Sequence, residues 1–194
     1  MIYLGLIALA TLLASSLTRL RFIALAFVGM AFVASVIASA TATTTQVAVT
    51  AAAGIAAAGI LFIAARDGTY GEDPGWRLWL GTFTAAIVTP LAYASFRTIP
   101  GEPTAFPLFQ DGSGVVVEVA GTWLLSSGVA IMLTARSAVR VSLAALVMVT
   151  GVQLLARLAP EPRLATTLAL GWLEVVVALA GAYLIVNERA VRDA

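Results

Sequence analysis

Seven apolar runs, each close to the length that crosses a bilayer, occupy most of this chain, and short charged clusters separate them. They lie at 2–17, 22–40, 46–65, 78–96, 114–134, 141–158 and 165–186. About twenty apolar residues in helical form cover a hydrocarbon core of ~30 Å. In lipid every backbone N–H and C=O must be satisfied internally, which leaves helices or a closed barrel. Runs this long and unbroken lack the short alternating segments of a barrel. The expectation is therefore an all-α, polytopic membrane helix bundle of seven transmembrane helices. With 61% hydrophobic and 11% charged residues and a mean hydropathy of +1.01, the 194-residue chain has too little polar surface for a soluble globule.

The arginines set the expected orientation. Arg19, Arg21, Arg66, Arg77, Arg136, Arg140, Arg189 and Arg192 fall on one side of the runs, and only Arg97, Arg157 and Arg163 on the other. The positive-inside rule places the N-terminus outside and the C-terminus in the cytoplasm. The first run has no basic segment before it, and Arg19 and Arg21 follow it, so it reads as a retained helix and not a cleaved signal. Two connections exceed simple turns: RDGTYGEDPGWR at 66–77, expected on the cytoplasmic side, and RTIPGEPTAFPLFQDGSG at 97–114, expected outside.

What the chain lacks narrows its chemistry. It has no Cys, no His and no Lys, its eleven basic residues all being Arg. Thiol nucleophiles, Ser-His-Asp arrangements, ordinary zinc or haem sites and Schiff-base lysines are excluded. A net charge of +1 gives no concentrated basic face for nucleic acid. No catalytic residue, metal or cofactor is expected on this chain.

Runs one to three and five to seven read as two copies of one unit. Laid over each other, Arg21 meets Arg140 and Arg66 meets Arg189. A three-span unit changes sides, so the fourth run is needed to return the chain for a second copy in the same orientation. The expected organisation is a first three-helix unit at 1–66, a linking helix with its loops at 67–113, and a second unit at 114–194. Parallel repeats of this kind are expected to be related by an axis along the membrane normal.

Glu174 is the residue most expensive to explain away. It stands nine residues after Ala165 in ATTLALGWLEVVVALAGAYLIV, or ~14 Å along the helix at 1.5 Å per residue. An ionisable group at that depth costs at least ~2.5–3.5 kcal/mol on insertion scales and usually faces a bundle interior, a water path or a partner. One reading is proton handling, since burial disfavours an ionised carboxyl; the other is a hydrogen-bonded side chain that holds two helices together. Thr150 and Gln153 on run six are its candidate partners if runs six and seven form a hairpin. Gly151, Gly171, Ala178 and Gly181 would permit their close approach. Glu118 is expected at the external interface in a solvated pair with Arg157. Arg136 and Arg140 read as cytoplasmic anchors or contacts for a soluble partner. Ala51 takes the position of Glu174 in the first unit, so any proton-binding role belongs to the second.

The stretch Gly128–Arg189 resembles the small K-type membrane subunit of complex I (NADH:quinone oxidoreductase). In that family a cytoplasmic turn of the form TRRNLLR leads into a helix GLELMLNAVNL, and a third helix carries a midspan Glu in AAAEAAVGLALLV. Here TARSAVRVSLAALVMVTGVQL aligns Arg140 with the turn arginine, Met148 with the helix methionine and Gln153 with a frequent Asn. LGWLEVVVALAGAYLI puts Glu174 at the midspan Glu. The seven-span arrangement as a whole is similar to the E component of group-four membrane hydrogenases (hydrogenase-4 type). The sequence departs from those families at Leu146, where the middle helix carries its first glutamate, and in lacking the hydrogenase component's third-span lysine.

The resemblance implies a non-catalytic membrane subunit of a complex-I-like or hydrogenase-type ion-translocating complex, contributing to proton translocation or its scaffold. Its implied partners are other, antiporter-like membrane subunits and the lipid bilayer, and its implied place is the inner (cytoplasmic) membrane. Glu174, Thr150 and Gln153 are then proton-path candidates. Two other readings stay open: an independent small transporter or permease, and a structural membrane scaffold or assembly protein.

Overall fold

The computed structural model describes residues 2–17, 20–39, 41–65, 75–97, 112–158 and 164–192. Within them the chain forms seven helices and no strand: α1 Ile2–Ser16, α2 Leu20–Ala38, α3 Thr44–Ala64, α4 Gly75–Arg97, α5 Gly112–Thr134, α6 Ala138–Ala156 and α7 Leu164–Arg192. Most of the 66–77 and 97–114 connections lies outside the described residues.

Five helices, α2, α3, α5, α6 and α7, are long and apolar enough to cross a membrane. The molecule is a multi-pass helical membrane protein. The other two are shorter as apolar elements. At 15 residues, α1 reaches only ~22 Å, and the apolar part of α4 is Trp79–Ala92.

Helix boundaries follow local chemistry. Thr43 and Gln46 form a reciprocal capping box at the start of α3: the Gln46 amide donates to Thr43 Oγ1 at 3.4 Å, and the Thr43 amide donates to Gln46 Oε1 at 3.1 Å. The α6 N-terminus is capped from a distance. Ser137 makes no side-chain cap there, and Glu188, near the end of α7, accepts from the Ala138 amide at 2.8 Å. A carboxylate at a helix N-terminus is stabilising, and this one also ties the ends of α6 and α7 together.

Neighbours in sequence pack as hairpins, α1 on α2, α2 on α3, α4 on α5, α5 on α6 and α6 on α7. Further along the chain, α1 packs on α5, α2 on α6 and α3 on α7, with smaller contacts of α1 on α4 and α2 on α5.

Small residues allow these approaches. A Cβ on Gly151 of α6 would stand 2.9 Å from the Leu125 amide nitrogen and 3.0 Å from the Gly121 carbonyl of α5. Gly171 of α7 faces Ala53 and Val49 of α3. Gly151 and Gly171 therefore serve the α5–α6 and α3–α7 seams, not the α6–α7 hairpin for which the sequence suggested them. Gly181 does lie against Ser142 of α6.

Two arginines clamp the units at opposite ends of α6. Arg140 is buried and its Nη1 donates to the Ser15 carbonyl at 2.9 Å, with Nη2 3.5 Å from the Leu17 carbonyl. It neutralises the open carbonyl end of α1. At the other end, Arg157 is the C-cap of α6 and reaches α3.

Candidate functional site

The packing stripe of α7 explains how a carboxyl comes to be inside the bundle. Gly171, Glu174, Ala178, Gly181 and Ile185 are buried at helical spacing, while Trp172, Val176, Leu179 and Tyr183 form the opposite, exposed stripe. Glu174 shares its stripe with three small residues, so α3 can close over it. On α3 the matching stripe is Gln46, Thr50, Ala53, Gly54, Ala57 and Leu61.

Glu174 is 1% exposed. Gln153 of α6 donates from Nε2 to Glu174 Oε2 at 2.8 Å, and the same nitrogen lies 3.3 Å from the Leu170 carbonyl. On the α3 side a Cβ at Gly54 would stand 3.6 Å from Glu174 Oε1 and 2.8 Å from the Ala31 Cβ of α2. The carboxyl is thus held between α3, α6 and α7, with one bonded oxygen and one facing a glycine.

Of the candidate partners, Gln153 is brought to Glu174. The Thr150 hydroxyl instead donates to the Leu146 carbonyl of its own helix at 2.9 Å. A buried hydroxyl in an apolar helix finds an acceptor one turn back at no cost in reach. Thr11, Ser35, Thr50, Thr89 and Ser142 do the same.

The expected interfacial pair is organised differently. Arg157 donates from Nη2 to the Thr50 hydroxyl and, at 3.4 Å, to the Gln46 carbonyl, both on α3. Glu118 is fully buried on the inward face of α5, along with Val117, Ala120 and Gly121, and not at a solvated surface. The two cytoplasmic candidates also part ways. Arg136 is exposed, whereas Arg140 is spent on α1 and is not available as a partner contact.

Sequence reasoning missed Thr50, Gly54 and Glu188. Thr50 and Gly54 follow Gln46 on α3 at spacings of four and eight, the signature of one helix face, but in a run of alanines nothing marked that face as inward. A pocket of about 270 Å³, counted with the space open to solvent, adjoins the site and is lined by Thr50, Gln153, Arg157, Thr166, Thr167 and Leu170, among others. Gln153 belongs to both. Among the described residues no group of His, Cys, Asp or Glu could hold a metal ion.

These features define a helical membrane bundle with one carboxyl fixed in its interior by an amide. Comparison with protein families, with curated proteins and with solved structures finds no match for this chain.

Proposed function

We propose that the protein is a non-catalytic integral subunit of a complex-I-like or hydrogenase-type ion-translocating complex in the inner membrane, and that Glu174 is a proton-binding station within it. In this reading the chain crosses the membrane seven times, with its N-terminus outside and its C-terminus in the cytoplasm. The observation that carries it is the Glu174–Gln153 pair, a carboxyl 1% exposed inside a transmembrane bundle with a single bonded oxygen. Ionisable residues in such positions mark ion pathways and proton relays.

The exposed stripe of α7 fits the same reading. Trp172, Val176, Leu179 and Tyr183 are all exposed on one side of α7 and together form a broad apolar face on which a neighbouring membrane subunit can pack. A proton moved against 100 mV requires about 2.3 kcal/mol, which other subunits would supply.

Glu174→Gln tests the proposal, because Gln keeps shape and hydrogen bonding and cannot ionise. The expected result in the complex purified from native membranes is intact assembly with reduced proton translocation. Undiminished translocation rejects the proton-binding role and leaves Glu174 as a hydrogen-bonded strut. Recovery of the protein alone from native membranes rejects the subunit reading and favours an independent transporter or scaffold.

A further inference from the structure

Glu174 has different neighbours toward the two ends of its helix. Toward the start of α7 they are polar. Gln153 bonds the carboxyl from that side and also borders, with Thr50, Arg157, Thr166 and Thr167, a space with room for about one water molecule. Thr166 is exposed in the first turn of α7, so the space reaches the edge of the bundle there. The Gln153 amide is lightly held. Its Oε1 is buried with no hydrogen-bond partner among the described residues, and its Nε2 makes one short bond, to Glu174, and one long, to the Leu170 carbonyl. An amide with an unmet acceptor loses little by turning aside.

Toward the end of α7 the described neighbours are apolar for ~10 Å, the rise from Glu174 to Gly181. Two contacts set the register. Gly181 lies against Ser142 of α6 and Leu61 of α3, and Glu174 lies against Gln153 of α6 and Gly54 of α3. Ala178 falls between, level with Leu146 on α6 and with Ala57 and Ala58 on α3, and all four are buried. Phe27 of α2, also buried, is one turn from the Ala31 that touches Gly54. At the far edge of this layer the Ser142 hydroxyl donates to the Ala138 carbonyl. The charges divide in the same way. Among the described residues of α3, α6 and α7, the helices that hold the carboxyl, Arg157 stands at the polar end, and Arg140, Glu188, Arg189 and Arg192 stand beyond the apolar layer. Arg21 of α2 stands there too, and α3 carries no charge.

We propose that Glu174 exchanges protons with one side of the membrane only, the side on which α7 begins, through the space beside Gln153. The proposal rests on the reading of Glu174 as a proton-binding station, and in that reading's orientation the side is the outside. Water entering beside Thr166 and Thr167 meets the carboxyl when Gln153 turns aside. The layer of Ala57, Leu146 and Ala178 stops it there, because a charge crossing that layer finds no hydrogen-bonding group to replace its water. This chain then carries one half of a path, and a neighbouring subunit has to supply the other.

The test is infrared spectroscopy of the full chain, reconstituted sparsely in sealed liposomes. Capture through an affinity tag on the C-terminus selects liposomes with the end of α7 outward, so the start of α7 faces the interior. The Glu174 carbonyl band is the one lost in Glu174→Gln and moved in Glu174→Asp, which separates it from Glu118 and Glu188. Interior and exterior pH are varied independently with impermeant buffers. The protonated fraction should fall roughly tenfold for each unit of interior pH above its midpoint and should not move with exterior pH. A band that follows exterior pH, or both sides equally, overturns one-sided exchange and leaves Glu174 a proton-binding group. A band that ignores both sides rejects the proton-binding reading itself, and one-sided exchange falls with it.

Discussion

Replacing Gln153 with Leu removes the one side-chain donor seen on Glu174 and leaves the helix backbone and the local volume nearly unchanged. The Gln153 Nε2 serves two acceptors, Glu174 Oε2 at 2.8 Å and the Leu170 carbonyl at 3.3 Å. Leaving the carboxyl buried without its donor costs about 1–3 kcal/mol. Glu174→Leu should be milder, about 1 kcal/mol, because the neutral Gln153 amide keeps the Leu170 carbonyl and no charge-bearing group is left buried without its donor. The double variant removes both polar partners, so it should be less damaged than the sum of the two. Polar pairs in membrane bundles couple by about 0.6 kcal/mol on average and up to about 1.7. The short contact and full burial here place this pair near the top of that range. Reversible unfolding in mixed dodecyl maltoside and dodecyl sulfate micelles measures all four corners of the cycle. Additivity within about 0.3–0.5 kcal/mol, the behaviour of independent sites, would refute a direct bond between α6 and α7 through these side chains.

Two other perturbations test the architecture that holds the site. Gly151→Ala pushes a methyl against the backbone of α5, which cannot swing aside, and should cost about 1–3 kcal/mol. Gly59→Ala meets nothing within 4 Å and should be neutral or gain up to about 1 kcal/mol from helix propensity; the same micelle titration compares them, and equal stability would contradict the α5–α6 seam. Arg140→Met uncaps the carbonyls of Ser15 and Leu17, a loss of about 1.5–3 kcal/mol for a charged donor. Amide exchange should then accelerate at the end of α1 and stay unchanged in α3 and α7.

The helices themselves were legible because hydrophobic length is a one-dimensional property. Every expected run contains or overlaps a helix, and the boundary errors have local causes. The sequence placed the start of the third run at Gln46, whereas the capping box begins the helix at Thr44, a signal present in the Thr-x-x-Gln at Thr43–Gln46. Glu174 is legible for the same reason, as a charge in the wrong solvent; the hairpin puts Thr150 at its depth and Gln153 about one turn further out, and it is Gln153 that bonds it. Which face each helix turns inward was not. A membrane helix is apolar all round, so its pattern does not separate lipid from protein. That is why Glu118 was taken for a surface residue, Arg140 for a free anchor and Gly151 for a contact of α7. Thr150 shows a different limit: its hydroxyl has an acceptor one turn back on its own helix, the Leu146 carbonyl at 2.9 Å, which no depth argument takes into account.

The Glu188 carboxylate that accepts from the Ala138 amide has a consequence for how α6 and α7 come apart. Helix ends fray first. Fraying of the last turns of α7 withdraws an acceptor from the first turn of α6, and fraying of α6 withdraws the donor from α7. The two ends therefore loosen together, like two pages held by one staple.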